Sequence, residues 1–161
     1  MDIFDEEILK FWKALQNNEV KYIMIGGYAA NLHGYQRFTS DLDIWIENTP
    51  ANREKLRLAF MACGMGDYFM LYRMQFVPGW TDIRLMNGLR LDILTSMKGL
   101  EGFHFEDCLQ AASIADIDNI KVPFLHINQL IENKKAVNRP KDQIDVLELE
   151  KIKKLLDEGE F

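Results

Sequence analysis

The sequence predicts an α/β domain in which short buried strands alternate with amphipathic helices, and three observations carry that prediction. Apolar runs of strand length, Lys21 to Ile25 and Asp41 to Glu47, each give way to a helical pattern, after Gly26-Gly27 in one case and Asn48-Thr49-Pro50 in the other. An Asn87-Gly88 pair sits between IRLM and LRLDIL, a strong hairpin signal because both turn positions favour positive φ. The last part of the chain returns to helical periodicity around Pro140.

Each element follows in order. Residues 4–16 predict a helix, with Phe4, Ile8, Phe11 or Trp12, and Leu15 at helical spacing and Asp5, Glu6 and Glu7 in its first turn, where acids suit the dipole. KYIMI is a buried strand that ends at Gly26-Gly27, and the short helix 28–33 after it is closed by Gly34. The polar stretch Tyr35 to Ser40 leads into the strand from Asp41 to Glu47. Helix 51–63 turns Leu56, Leu58, Ala59 and Ala62 to the core and leaves at Gly64. Residues 67–77 follow neither period. After the hairpin, alternation puts Leu89, Leu91 and Ile93 on one face and Arg90, Asp92 and Leu94 on the other. A helix at 104–112, a strand at 121–125, a helix at 127–137 and a last helix at 143–156 complete the order. Ile144, Leu147, Leu149, Ile152 and Leu155 make the apolar side of that last helix, and the end DEGEF reads as frayed.

At 161 residues, 48% of them hydrophobic, the chain is one domain, with a core over 20–95 and C-terminal helices over 127–156. A net charge of -6 and a pI near 5.1 argue against a general basic face for long nucleic acid, but not against a short acceptor or a free nucleotide. Cys63 and Cys108 lack CxxC spacing and read as buried thiols, and with the acidic start MDIFDEE they place the chain in a reducing cytoplasm. No apolar run approaches a membrane span.

The chemistry concentrates in carboxylates. Asp41 and Asp43 are two residues apart on one strand and so share a face, while Leu42 and Ile44 enter the core. Asp92 lies on a second strand that can run beside it. Three converging carboxylates suit a hard divalent ion such as Mg2+, which takes oxygen ligands and keeps waters or substrate phosphates. Two such ions stabilise the attacking and leaving oxygens of phosphoryl transfer, and a third carboxylate can take up the nucleophile's proton. Gly26 and Gly27 let a backbone approach phosphate, with helix N–H groups beside it. Arg37, Thr39 and Ser40 add donors before the acidic pair, and Arg37 can grip phosphate with two N–H groups.

Blander readings stand beside these. A D-x-D on an edge strand is often two solvated acids, Asp92 can pair with Arg90 or Arg84, and Gly26-Gly27 can be a plain tight turn. Lys134, Lys135, Arg139 and Lys141 form either a solvated helix connection or a contact for triphosphate or acceptor phosphate. Asp142 and Asp145 suit the start of a helix, and Asp142 can orient Arg37 or Arg139. Trp45 shares the face of Asp41 and Asp43 and either stacks on a base or fills the sheet's lower end. His33 closes a helix, and His104 and His126 lack zinc-ligand spacing. No GxxxxGK[ST] loop is present.

IMIGG, DLDIWI and LRLDIL together resemble the signature of the DNA-polymerase-beta-type nucleotidyltransferase superfamily. GGYAANLHGYQRFTSDLD and the late block KKAVNRPKDQID are closer to small bacterial nucleotidyltransferase-domain proteins, including those of abortive-infection and toxin-antitoxin pairs. The resemblance spans roughly residues 20–150 and implies a short mixed, mostly antiparallel sheet with packed helices. It implies that Asp41, Asp43 and Asp92 hold Mg2+ or Mn2+ and do the catalytic work. Gly26 and Gly27 then border the triphosphate, with Arg37, Thr39, Ser40, Lys135 and Arg139 as further nucleotide contacts. The implied reaction moves a nucleoside monophosphate from a nucleoside triphosphate to an acceptor hydroxyl and releases pyrophosphate. RNA and protein are both open as acceptors, and the second substantial domain of larger members is missing. A small protein partner therefore remains open, as does a catalytically idle nucleotide-binding domain.

Overall fold

The computed structural model describes residues 5–77 and 81–159. Phe4, which the helical period adds to the first helix, and Glu160 and Phe161 of the frayed end lie outside them. The order is α1 (Glu6–Asn17), β1 (Tyr22–Ile25), α2 (Gly26–Leu32), β2 (Asp41–Ile46), α3 (Pro50–Ala62), a 3-10 turn (Leu71–Arg73), β3 (Ile83–Arg84), β4 (Arg90–Leu94), α4 (Phe105–Ala111), β5 (Ser113–Ile117), β6 (Ile120–Phe124), α5 (Ile127–Val137) and α6 (Pro140–Asp157). The six strands form one sheet in the order β3-β4-β2-β1-β6-β5. It is mixed and mostly antiparallel, as expected: β3–β4, β2–β1 and β6–β5 are antiparallel, whereas β4–β2 and β1–β6 are parallel.

Strand pairing settles which face each side chain takes. Tyr22 and Met24 sit opposite Ile46 and Ile44, and this face carries α1, whose Trp12 stacks on Tyr22 at 5.6 Å. Phe11 of the same helix meets Phe60 of α3 at 6.2 Å, and Phe11, Trp12 and Phe60 are fully buried. The amphipathic pattern of α1 thus supplies the largest side chains of the core. On the other face Trp45 is buried under α4, edge-on to Phe105 at 5.1 Å. It fills the sheet's lower end and offers no face to a base.

Four features depart from the sequence expectation, the first being that Leu58 (45%) and Ala62 of α3 are exposed while Leu56, Ala59 and Phe60 make its core side. In the hairpin only Gly88 takes positive φ (86°), and the Gly88 N–H donates to the Leu85 carbonyl while the Leu85 N–H donates to that of Leu89. The loop is therefore a three-residue connection with glycine at its left-handed position, not a two-residue turn. A second hairpin, β5–β6, was not expected; its Asp118 and Asn119 both take positive φ (52° and 66°), as a tight two-residue turn requires. In α6 the buried positions are Asp142, Asp145 and Leu149, whereas Ile144 and Leu147 are exposed. The N-terminal part of the apolar stripe faces out because ion pairs hold the inward face there, whereas Leu149 and Ile152 still pack on the core.

Asn52, buried at 3% exposure in the first turn of α3, fixes how that helix leaves the sheet. Its Oδ1 accepts from the Lys21 N–H at 2.8 Å, and its Nδ2 donates to the Lys21 and Glu47 carbonyls at 2.9 Å each. Replacing it by alanine strands the Lys21 N–H and takes one donor from each of two carbonyls, which keep the Glu47 N–H (on Lys21, 3.2 Å) and the Thr49 N–H (on Glu47, 3.1 Å). Asn52→Ala should cost about 1–3 kcal/mol of stability, read as a lower midpoint in urea with an unchanged slope.

Candidate active site

The parallel pairing of β2 with β4 sets Asp41 opposite Arg90 and Asp43 opposite Asp92. Because the strands are adjacent and in register, the Asp43 and Asp92 side chains leave the same face of the sheet. Asp41, Asp43 and Asp92 line one cavity of about 400 Å³ with Ile25 and Gly26. The rest of its wall includes Ser96, Met97 and Lys98 from the segment after β4, and Lys134, Arg139 and Lys141 from the C-terminal helices.

Gly26 is required by this arrangement. Its φ is +73°, and a Cβ there would stand 2.2 Å from Oδ2 of Asp43. The carboxylate occupies the space a side chain would need, so α2 starts on the glycine itself and the backbone closes over Asp43. Gly27 is equally tight, but against other groups: a Cβ there would lie 2.5 Å from the Thr39 hydroxyl and 3.1 Å from Nη2 of Arg37.

Burial, joined by the charges of Asp92 and Asp41, pushes the Asp43 carboxyl up to about 7, although Lys134 and Lys141 pull the other way. A group poised there at neutral pH carries a cost in its charged form that a cation would offset. The donor set is all oxygen, which fits Mg2+ or Mn2+. Among the described residues no three His, Cys, Asp or Glu side chains are gathered into a ready-made cage. Hard ions of this kind complete their shells with water and phosphate.

A buried ion cluster backs the site. Asp145, at 1% exposure, receives Lys134 Nζ at 2.7 Å on Oδ2, and the Arg37 guanidinium lies 3.0 Å from each of its oxygens. Asp142, also at 1%, accepts from Arg139 Nε at 2.6 Å and Nη2 at 3.1 Å, and from the Arg139 backbone N–H. Burial alone would raise the Asp142 carboxyl, yet these hydrogen bonds hold it below its ordinary range. The two acids are thus internal counter-charges, and of the two expected partners Asp142 takes Arg139 while Asp145 takes Arg37.

The sequence expectation and the cavity overlap in part. Asp41, Asp43, Asp92, Gly26 and Arg139 come together there. Gly27, Arg37, Thr39, Ser40 and Lys135 are not among its lining residues. Arg37 is turned to Asp145, Thr39 packs on Gly27, Ser40 is exposed, and Lys135 is an exposed partner of Glu150 at 3.0 Å. Lys134 takes the inward place because it continues the buried phase of Leu130 and Ile131 on α5. That phase is a signal the sequence offers. Lys98 carries no such signal. His33 is likewise structural: its Nε2 lies 2.7 Å from the Leu125 carbonyl, and burial lowers its pKa, so it donates as a neutral ring.

A scan against protein-family models and a search of curated proteins return no match. The architecture nevertheless has relatives among solved structures, and they are nucleotidyltransferase folds. One is an antigenic nucleotidyltransferase-like protein from Paracoccidioides brasiliensis, similar over 89% of this chain and 74% of its own at 16% identity and a TM-score of 0.54. Another is ANT(2")-Ia in complex with adenylyl-2"-tobramycin, similar over 92% of this chain and 91% of its own at 17% identity and a TM-score of 0.52. The chain therefore has the nucleotidyltransferase fold. No helix among the described residues is long and apolar enough to cross a membrane.

Two measurements probe this wall. With its folded pKa raised from 3.8 to about 7, Asp43 contributes stability that is full below pH 4 and lost as pH rises through 7. In metal-free buffer Asp43→Asn should melt above the wild type at pH 8, by the equivalent of on the order of a few kcal/mol, with the gap closing toward pH 4.5 and on adding Mn2+. Asp145→Asn weakens the grip on two cations, and a loss of about 3 kcal/mol or more is expected in chemical denaturation.

Proposed function

We propose that the chain is a metal-dependent nucleotidyltransferase, moving a nucleoside monophosphate from a nucleoside triphosphate to an acceptor hydroxyl. One observation carries the reading: three carboxylates from adjacent strands enter a single cavity beside Gly26, with Asp43 pushed up to about 7. Such crowding is costly in a purely structural role and useful where divalent ions and phosphates meet.

In this reading Asp41, Asp43 and Asp92 hold Mg2+ or Mn2+, and the bound ions supply charge stabilisation to the attacking and leaving oxygens. Asp92 accepts the proton of the acceptor hydroxyl as its oxygen bonds to the α-phosphorus. The bond from that phosphorus to the bridging oxygen of the β-phosphate breaks, and pyrophosphate leaves. Gly26 borders the triphosphate, and Arg139, oriented by Asp142, faces the same space. The acceptor is a hydroxyl of a small molecule, an RNA end or a protein; the ANT(2")-Ia structure holds an adenylylated small molecule. The free thiols of Cys63 and Cys108 suit a reducing cytoplasm.

A second reading draws on the exposed Ile144 and Leu147 of α6, at 56% and 61%. Apolar residues displayed together favour a protein partner, as in a toxin-antitoxin or abortive-infection pair. It is compatible with transfer activity, and a small protein copurifying with the chain would support it.

The deciding experiment incubates the protein with each α-labelled nucleoside triphosphate, Mg2+ or Mn2+, and candidate acceptors. Pyrophosphate and a labelled product are expected, falling about 100-fold or more in Asp92→Asn and disappearing in Asp43→Ala. Absence of both products, with no thermal shift from any triphosphate plus metal, would sink the enzyme reading.

A further inference from the structure

The segment after β4 reaches the cavity in an unusually fixed way. Lys98 is exposed between two buried anchors, Met97 at 3% and Leu100 at 2%. Its carbonyl accepts from Nδ2 of Asn133 on α5 at 2.9 Å. The next residue, Gly99, takes φ +89° and lies so close to α5 that a Cβ would stand 2.8 Å from the Glu132 carbonyl oxygen and 2.9 Å from the Ala136 Cβ. The Gly99 N–H donates to both oxygens of the Glu101 carboxylate, at 3.1 and 2.9 Å. Hydrophobic anchors, a side-chain hydrogen bond, a close backbone approach and a carboxylate all hold the main chain around one solvated lysine. A long basic side chain on a pinned backbone loses less entropy on meeting an anion than one on a free loop.

The other cations of the cavity wall are mostly committed. Lys134 is held by Asp145, and Arg139 by Asp142. Lys98 and Lys141 make no ion pair among the described residues. Glu101 feels the charge of Lys98, but its largest stabilising contacts are backbone hydrogen bonds. Arg37, the arginine expected to grip phosphate, is spent on Asp145. A triphosphate bound among three carboxylates still needs positive charge at its far end, where the departing pyrophosphate gathers negative charge.

We infer that Lys98 is a substrate-binding residue that receives the β- and γ-phosphates of the nucleoside triphosphate. The inference rests on the nucleotidyl-transfer reading and assigns the end of the cavity to which the leaving group points. The α-phosphorus stays by Asp92, midway along β4, and the polyphosphate tail runs toward the segment that follows that strand.

Titration calorimetry with Mg2+ and each of ATP, GTP, CTP and UTP, beside the matching monophosphates, tests this. Lys98→Ala should weaken binding of the preferred triphosphate about tenfold or more, leave its monophosphate unchanged, and melt like the wild type because the side chain is exposed. Lys98→Arg should restore triphosphate affinity and Lys98→Glu should weaken it further. Equal triphosphate affinity in wild type and Lys98→Ala overturns the inference while leaving the nucleotidyl-transfer reading intact. Equal losses for triphosphate and monophosphate overturn it as well, since the lysine would then not read the tail. If the wild type binds no triphosphate, the nucleotidyl-transfer reading falls and the role of Lys98 with it.

Discussion

Like charge across the β2–β4 pairing is the constraint on which the rest of the molecule depends. Two strands distant in sequence run parallel and in register, and the register puts Asp43 beside Asp92. Asp92 is buried at 8% and Asp43 half-buried, so water alone does not screen the pair. The fold answers with positive charge from the other side of the chain: Lys134 and Lys141 both act on Asp43, and Lys134 is itself fixed by Asp145. What looks like a C-terminal helical appendage is thus the electrostatic complement of the sheet. Its two inward acids keep the basic wall from being a bare excess of charge.

The parts of the fold legible in the sequence are those governed by local periodicity. The bounds of α5 agree with the helical pattern, and β1, β2 and β4 lie where apolar runs place them. Alternation alone puts Asp41 and Asp43 on one face; that Asp92 shares that face and lies beside them depends on a long-range pairing that alternation cannot supply. β5 is illegible in the sequence because SIADI is a short, half-polar strand at the edge of the sheet. The Asp118-Asn119 pair was the available cue, since both residue types tolerate positive φ.

Side-chain placements are less legible than backbone ones, and the departures share a cause. Reading Ile144 and Leu147 as core assumes that a helix buries its apolar stripe, and expecting Arg37 to line the cavity assumes that a cation near a site faces it. Both rules yield to the pull of Asp142 and Asp145, which are buried against Lys134, a partly buried Arg37 and a largely exposed Arg139. Buried ion pairs invert amphipathic logic locally, and nothing in the sequence of α6 alone marks which face wins. Lys134 and Lys135 differ by one helical step, and the apolar neighbours Leu130 and Ile131 decide between them.

The inverted face of α6 also has a temporal side. During synthesis β1, β2 and β4 emerge well before α5 and α6, so the strands that carry the acids can pair while their cationic complement is still unmade. At that stage the carboxylates face water. α5 has an apolar face of its own in Ile127, Leu130 and Ile131, but α6 buries Asp142 and Asp145 beside Leu149; α5 must bring Lys134, and the loop before β2 must bring Arg37, before Asp145 can leave solvent. The cavity is therefore assembled as a closing step, and a half-made chain has the sheet without the site.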